Sequence, residues 1–229
     1  MSLILQIETA TASCSVSLAN NGSVIAFKEI NERNKHAEVI TLFINEVLVS
    51  AGKNYSDLDA VAVSCGPGSY TGLRIGVSVA KGLCFALDIP LIAIETLTAM
   101  AHGAVNNNSG WLDQETLLCP MIDARRMEVF TSIFNAKGEK IQNTSAEIIN
   151  EDSFADLLQT QKMLFFGDGA EKCSDRLNKN ANAVFLPGFI NSATYLAQLA
   201  DNKFKDKSFE SVAYFEPFYL KDFIAGKKK

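Results

Sequence analysis

The stretch Gly66-Pro67-Gly68-Ser69-Tyr70-Thr71-Gly72-Leu73-Arg74 separates a short apolar run, Ala60 to Ser64, from a longer one that begins near Thr71 and extends to about Leu87. The first reads as a buried strand and the second as a helix. A strand that empties through glycines onto a helix start leaves backbone N–H groups unpaired at the positive end of a helix dipole, which is how many proteins hold phosphate. The spacing departs from the Walker pattern, because no Gly-Lys-Ser/Thr follows. Two readings of the loop therefore stand: an anion site, or a tight strand-to-helix crossing.

Upstream, Leu3 to Glu8 reads as a buried strand, Cys14 to Ala19 as a second, Asn20-Asn21-Gly22 as a turn and Val24 to Ile30 as a third strand. A helix follows from about Lys35 to Ala51, closed by Gly52, and a strand at Leu91 to Ile94 lies downstream of the loop. The order β-β-β-α-β-α-β places helices against a mixed sheet. Periodicity breaks from Gly103 to Thr116, a surface loop or boundary that divides the chain into 1–103 and 104–229. Beyond it, Leu117 to Ile122, Met127 to Phe134 and Met163 to Phe166 read as strands, with Asn135 to Gly138 a turn. Glu151 to Gln161, capped by Asp152 or Ser153, and Thr194 to Asn202 read as helices. No sequence repeat is visible, although both halves mix strands and helices in similar order.

The 229 residues, 48% hydrophobic, can supply a real core. A net charge of -5 gives no basic field to grip RNA or DNA, and the only run of like charge is Lys227-Lys228-Lys229. No segment reaches the roughly 20 apolar residues that cross a bilayer, and the N-terminus lacks a charged n-region, so a cytoplasmic location is expected. The five cysteines, without a CxxC pair, read as small reduced core residues. Cys65 has no histidine near it in sequence and reads as a buried thiol rather than a nucleophile. Only His36 and His102 occur, without an HExxH arrangement; metal sites are hard to build, and capping or surface roles are expected for both. Asp123-Ala124-Arg125-Arg126 and Gly167-Asp168-Gly169 read first as turns, with a polar ligand or a second nucleotide loop as the sharper alternatives.

Two helices carry apolar residues on two sides. In the first, Ala37, Ile40, Phe43, Ile44, Val47, Leu48 and Ala51 share a broad face, with Val39, Leu42 and Val49 opposite and Glu46 interrupting. In the second, only Arg74, Ser78 and Lys81 are clearly polar, while Leu73, Val77, Ala80, Leu83 and Leu87 oppose Ile75, Val79 and Ala86. Helices of this kind need two partners. One is the sheet; the other is either the neighbouring helix or a second chain.

Ile7-Glu8-Thr9-Ala10-Thr11, Gly66 to Gly76, Ile122-Asp123-Ala124-Arg125 and Pro217-Phe218-Tyr219-Leu220 occur in the order, and across almost the whole length, of the bacterial TsaB (YeaZ) proteins, which the chain resembles. The resemblance implies an actin-like ATPase (RNase H-like) fold of two α/β lobes, each a mixed five-stranded sheet flanked by helices. The first lobe, 1–103, is then expected to carry the dimerisation helices, and the second, 104–229, to end in a final segment that can pack back on the first. The resemblance also implies a role in making threonylcarbamoyladenosine beside the tRNA anticodon. There the paralogue TsaD is the metal-dependent transferase, and TsaB is its dimerisation and activating partner, with the ATPase TsaE joining and tRNA met only through the complex.

The resemblance further implies that catalytic equipment is missing. The His-x-x-x-His pair of TsaD-like chains falls on Thr96 and Met100, and the acids after the first strand on Ala12 and Ser13. Actin-like enzymes carry an acid and a glycine-bearing phosphate turn where this chain has Glu8-Thr9-Ala10-Thr11, whose β-carbons stand in the way. Glu8, Thr9, Gly66 and Gly68 are thus expected to be vestigial nucleotide loops, with no catalytic residue, no metal and no cofactor beyond weak ATP or ADP binding. The alternative, an active phosphotransferase or ATPase of the same fold, requires those loops to work; a peptidase rests only on an old name for the wider family. In the family, heterodimer and homodimer form through the two N-lobe helices. Val39, Leu42, Phe43, Glu46, Arg74, Val77, Ser78 and Lys81 are the interface candidates.

Overall fold

A computed structural model describes residues 2–108 and 113–221; Ser109 and Gly110 of the expected boundary loop and the Lys227–Lys229 run lie outside the described residues. The first sheet is built from β1 (Leu3–Glu8), β2 (Ser13–Asn20), β3 (Ser23–Asn31), β4 (Ala60–Ser64) and β5 (Leu91–Ile94), with α1 (His36–Ser50), α2 (Tyr70–Leu87) and α3 (Thr96–Asn108) threaded among and after them. The second comprises β6 (Leu117–Asp123), β7 (Glu128–Phe134), β8 (Lys140–Ile148), β9 (Met163–Phe166) and β10 (Ala183–Leu186). Short helices α4 (Ala155–Leu158) and α5 (Ser174–Leu177) interrupt it, and α6 (Ala197–Lys205) follows.

The sheet orders are β3-β2-β1-β4-β5 and β8-β7-β6-β9-β10. In both, the first two pairings are antiparallel and the last two parallel. The two lobes thus repeat one topology without repeating a sequence, and this is the actin-like, RNase H-like arrangement. Gly66 and Gly167 occupy equivalent places, each just after the strand that runs parallel to its lobe's first strand.

Strand alternation decides which helix lies on which face. Leu3, Leu5 and Ile7 of β1, with Val61 and Val63 of β4, meet α1 and α2 in one core cluster. Ile4, Ala60, Ala62 and Ile92 meet Leu196 and Ala200 in another, where alanines let α6 approach closely. Leu97, Met100, Ala101 and Ala104 of α3 pack on Leu118, Ile122, Leu164 and Phe166 of the second sheet.

Several expected boundaries move. The break at 103–104 falls inside α3, which continues to Asn108 because its apolar face has the second sheet to cover. The helix expected over Glu151 to Gln161 shrinks to Ala155–Leu158, since Phe154 sits at φ 62 and the Ser153 hydroxyl accepts the Asn150 N–H in a closed turn. β8 lacks an apolar pattern because it is a largely exposed edge strand, with no core to select for one.

Candidate functional site

The two expected loops, Glu8-Thr9 and Gly66 to Gly68, come together, and they pack on each other. Ser69 N–H donates to Ala10 O at 2.7 Å, Gly66 N–H to Thr96 Oγ1 at 3.1 Å, and Gly72 N–H to the N-cap Ser69 Oγ at 3.3 Å. These amides of the would-be anion cradle have partners within the chain. Close approach explains the glycines: a β-carbon at Gly68 would lie 2.4 Å from Ala10 O, at Gly72 2.1 Å from Thr9 O, and at Gly76 2.2 Å from Thr9 Oγ1. The turn after β1 is seated directly on the start of α2.

Glu8 lies beneath that turn, 1% exposed. Burial pushes its carboxyl from 4.5 to about 7, against the opposing pull of the Ala10 N–H, the Ser64 hydroxyl and the Thr9 N–H. Such a value would suit a general acid or base. Here the carboxylate instead accepts Ala10 N–H at 2.6 Å and lines neither of the clefts described below. The folded group takes up its proton near pH 7 and the unfolded one near 4.5. Between those values the folded state binds more protons, so this contribution to stability is complete below the lower pH and lost as pH rises through the upper one. Glu8→Gln should therefore gain on the wild type by up to about 3 kcal/mol at pH 8 and little at pH 4. Urea unfolding of both proteins at the two pH values checks this; parallel pH profiles would exclude Glu8 as the cause.

Thr96 and Met100 are also given to structure. Thr96 Oγ1 lies 2.8 Å from Ser64 Oγ and its N–H donates to Gly66 O; Met100 is buried under the second sheet. Among the described residues, no three His, Cys, Asp or Glu side chains are placed to hold a metal. Cys65 is buried with its thiol pushed up to about 12, which leaves no thiolate to act as a nucleophile. His36 corrects the expectation of a capping or surface role: it is buried, with Nε2 2.9 Å from Thr11 O and 3.2 Å from Ser13 O, pinning the turn between β1 and β2. Asp123 fixes its own turn by accepting Arg125 N–H at 2.9 Å, and Asp168 Oδ1 accepts Asp123 N–H at 3.0 Å.

Between the lobes, a cleft of about 50 Å³ is lined by Thr11, Ser13, Met100, Asp168 and Asn191. It is far below the roughly 300 Å³ of small-molecule sites. A larger groove of about 570 Å³, walled by Val24, Phe27, Phe189, Ile190 and Tyr195, includes no residue of Glu8-Thr9 or of Gly66 to Gly68.

The outer face of α1 and α2 is the other feature. Val39 and Phe43 turn out to be partly buried against the first core, as are Ile75, Val79, Leu83 and Leu87. Val77, expected outside, is 3% exposed and belongs to the core with Leu73 and Ala80; the sheet lies on that side. Lys81 is drawn inward, donating to two backbone carbonyls near the C-terminus. Glu46 pairs with Lys28 at 3.0 Å, while Arg74 and Ser78 are exposed. Leu42 (59% exposed) and Val49 (68%) remain outside on α1, and Phe85 (84%) on α2. The signal for Phe85 was present: it continues the stripe of Arg74, Ser78 and Gly82, a polar face on which an aromatic residue is out of place.

The family described as TsaD, tRNA N6-adenosine threonylcarbamoyltransferase, matches residues 28–227. The tRNA threonylcarbamoyladenosine biosynthesis protein TsaB of Escherichia coli (strain K12) is 32% identical over 231 residues, covering 98% of this chain and 97% of that protein. The chain belongs to the TsaB family. The solved structure of YeaZ from Pseudomonas aeruginosa, at 26% identity, has a TM-score of 0.81 and covers 96% of this chain and 100% of that one. The fold extends further: the activator of the 2-hydroxyisocaproyl-CoA dehydratase from Clostridium difficile, solved with bound ADPNP, is 9% identical, with a TM-score of 0.52 over 90% of this chain and 97% of that one. In this member of the TsaB family, the residues expected to form nucleotide loops are engaged in holding β1, β4 and α2 together.

Proposed function

We propose that this chain is the non-catalytic, activating partner of a TsaD-type paralogue, supporting transfer of threonylcarbamoyl to the adenosine beside the tRNA anticodon. One observation carries the reading: the loops that would hold a nucleotide are closed on each other, while Leu42, Val49 and Phe85 stay exposed on the helices next to them. Leu42 and Val49, seven residues and two turns apart, lie on one side of α1, and exposed apolar side chains grouped in this way mark a docking surface. The partner covers this face, burying about 800 Å² on each side as a standard interface does; without it, a second copy of the chain takes the same place. A net charge of -5 leaves the gripping of tRNA to the partner, and TsaE joins the assembly in the cytoplasm.

Co-expression with the TsaD of the same species should yield a stable heterodimer. Modification of a tRNA substrate, followed by the threonylcarbamoyladenosine content of its hydrolysate, should depend on adding this chain. Full modification without it, or ATP turnover by the isolated chain that is lost in Glu8→Gln, would overturn the reading in favour of an enzyme.

A further inference from the structure

After α6 the chain leaves regular structure but not the body of the protein. Glu210 N–H donates to Leu91 O at 2.9 Å, making one bridge at the edge of β5. Val212 and Phe215 then pack on the first core. Lys81, in the middle of α2, donates to Ala213 O at 3.3 Å and Phe215 O at 2.9 Å. Phe218 N–H donates to Cys65 O at 2.7 Å. Gly66, at φ +117, is where a β-carbon would come within 2.6 Å of Phe218 O, so the first glycine of the loop serves this crossing. Tyr219 packs against Tyr70, the first residue of α2, with ring centroids 4.9 Å apart and planes tilted by 37°, and the Arg74 guanidinium lies 5.4 Å from the Tyr70 centroid. Lys221 finally reaches Glu128 on β7, at 2.6 and 2.7 Å from its two carboxylate oxygens.

We propose that residues 210–221 form a strap that sets the position of α2, with Lys81 and Tyr219 as positioning residues, so that partner affinity at the outer helix face is controlled from the C-terminal segment. The strap grips α2 at its first turn and at its middle, and the Tyr219–Tyr70–Arg74 contacts lead from the strap to the exposed face. It also spans both lobes, because Lys221 holds the second sheet while Phe218 holds the glycine loop of the first. Its few backbone bonds to the sheet make it a unit that opens at lower cost than the sheet itself. Releasing it frees the start of α2 while β1 and β4 stay formed.

The effect on affinity rests on the docking surface proposed above; the effect on α2 does not. Residue-resolved amide exchange on the full chain separates the two. Lys81→Met keeps the aliphatic stem and removes the donors, and Tyr219→Ala tests a contact far from it. Both should speed exchange about tenfold or more at residues 73–77 and at Glu210 and Phe218, with β1 and β4 unchanged, and Lys81→Arg should restore the wild-type pattern. In titrations with the paralogue, the first two variants should bind about tenfold more weakly and Lys81→Arg normally. Unchanged α2 exchange in both variants overturns the strap. Faster α2 exchange with unchanged affinity overturns its control of docking. A wild type that binds no paralogue refutes the docking surface instead, and exchange alone then decides the strap.

Discussion

Leu42→Glu should leave this chain folded and weaken its pairing with the TsaD paralogue at least a hundredfold. A charge placed at the centre of an apolar contact loses the burial of the leucine and must itself be desolvated, about 3 kcal/mol or more together. With 59% of its surface free, Leu42 has room to lose in the monomer. Val77→Glu, the same change on the neighbouring helix, should behave oppositely. At 3% exposure beside Leu73 and Ala80, its carboxylate would be buried without a partner, and several kcal/mol is a large share of the roughly 5–15 that hold a domain together. Thermal unfolding and sedimentation with and without the paralogue distinguish the outcomes. A Leu42→Glu variant that binds normally, together with a Phe85→Ala variant that also does, would remove this face from the account.

Gly72→Ala should be among the most damaging single methyl additions to the chain, and Gly76→Ala should be damaging only while Thr9 is present. At Gly72 the new carbon would meet a backbone oxygen, Thr9 O, at 2.1 Å, and the strand end carrying it is fixed by hydrogen bonds on both sides. Relief requires β1 and α2 to separate, which costs about 3 kcal/mol or more. At Gly76 the obstacle at 2.2 Å is the Thr9 hydroxyl, which is buried without a hydrogen-bond partner. Thr9→Ala removes that oxygen and leaves Thr9 Cβ at 3.3 Å, a contact that small shifts absorb. The double variant Thr9→Ala/Gly76→Ala should therefore recover most of the stability lost in Gly76→Ala, about 2 kcal/mol of coupling in a double-mutant cycle. Additivity of the two changes would mean that the turn does not sit on α2.

Much of the first lobe was legible because each element announces itself locally. Leu3 to Glu8, Ala60 to Ser64 and Leu91 to Ile94 are short apolar runs bounded by breakers, and they form the strands read from them. The second lobe was harder. β8 is polar and exposed, β10 is four residues long, and α4 starts only after a left-handed residue, Phe154, that no composition rule marks. Glycine positions after β4 and β9 were readable, but their reason was not, since the atoms they admit are distant in sequence: Thr9, Ala10 and Phe218 for those after β4, Met100, Met121 and Ile122 for those after β9.

The same division holds for the candidate site. Sequence alone determined the family, through the order of its motifs, and the absence of imidazoles at Thr96 and Met100, because residue identity is a local fact. It also determined that α1 and α2 are too apolar for one partner. Only the tertiary structure decided that Val77 faces the core, that Lys81 holds the C-terminal strap and that Leu42, Val49 and Phe85 are left outside. A helix with apolar residues on two sides fits a sheet equally well in either of two rotations. The choice between them was made by glycines that let the turn after β1 press against one side of α2, a contact between segments more than sixty residues apart.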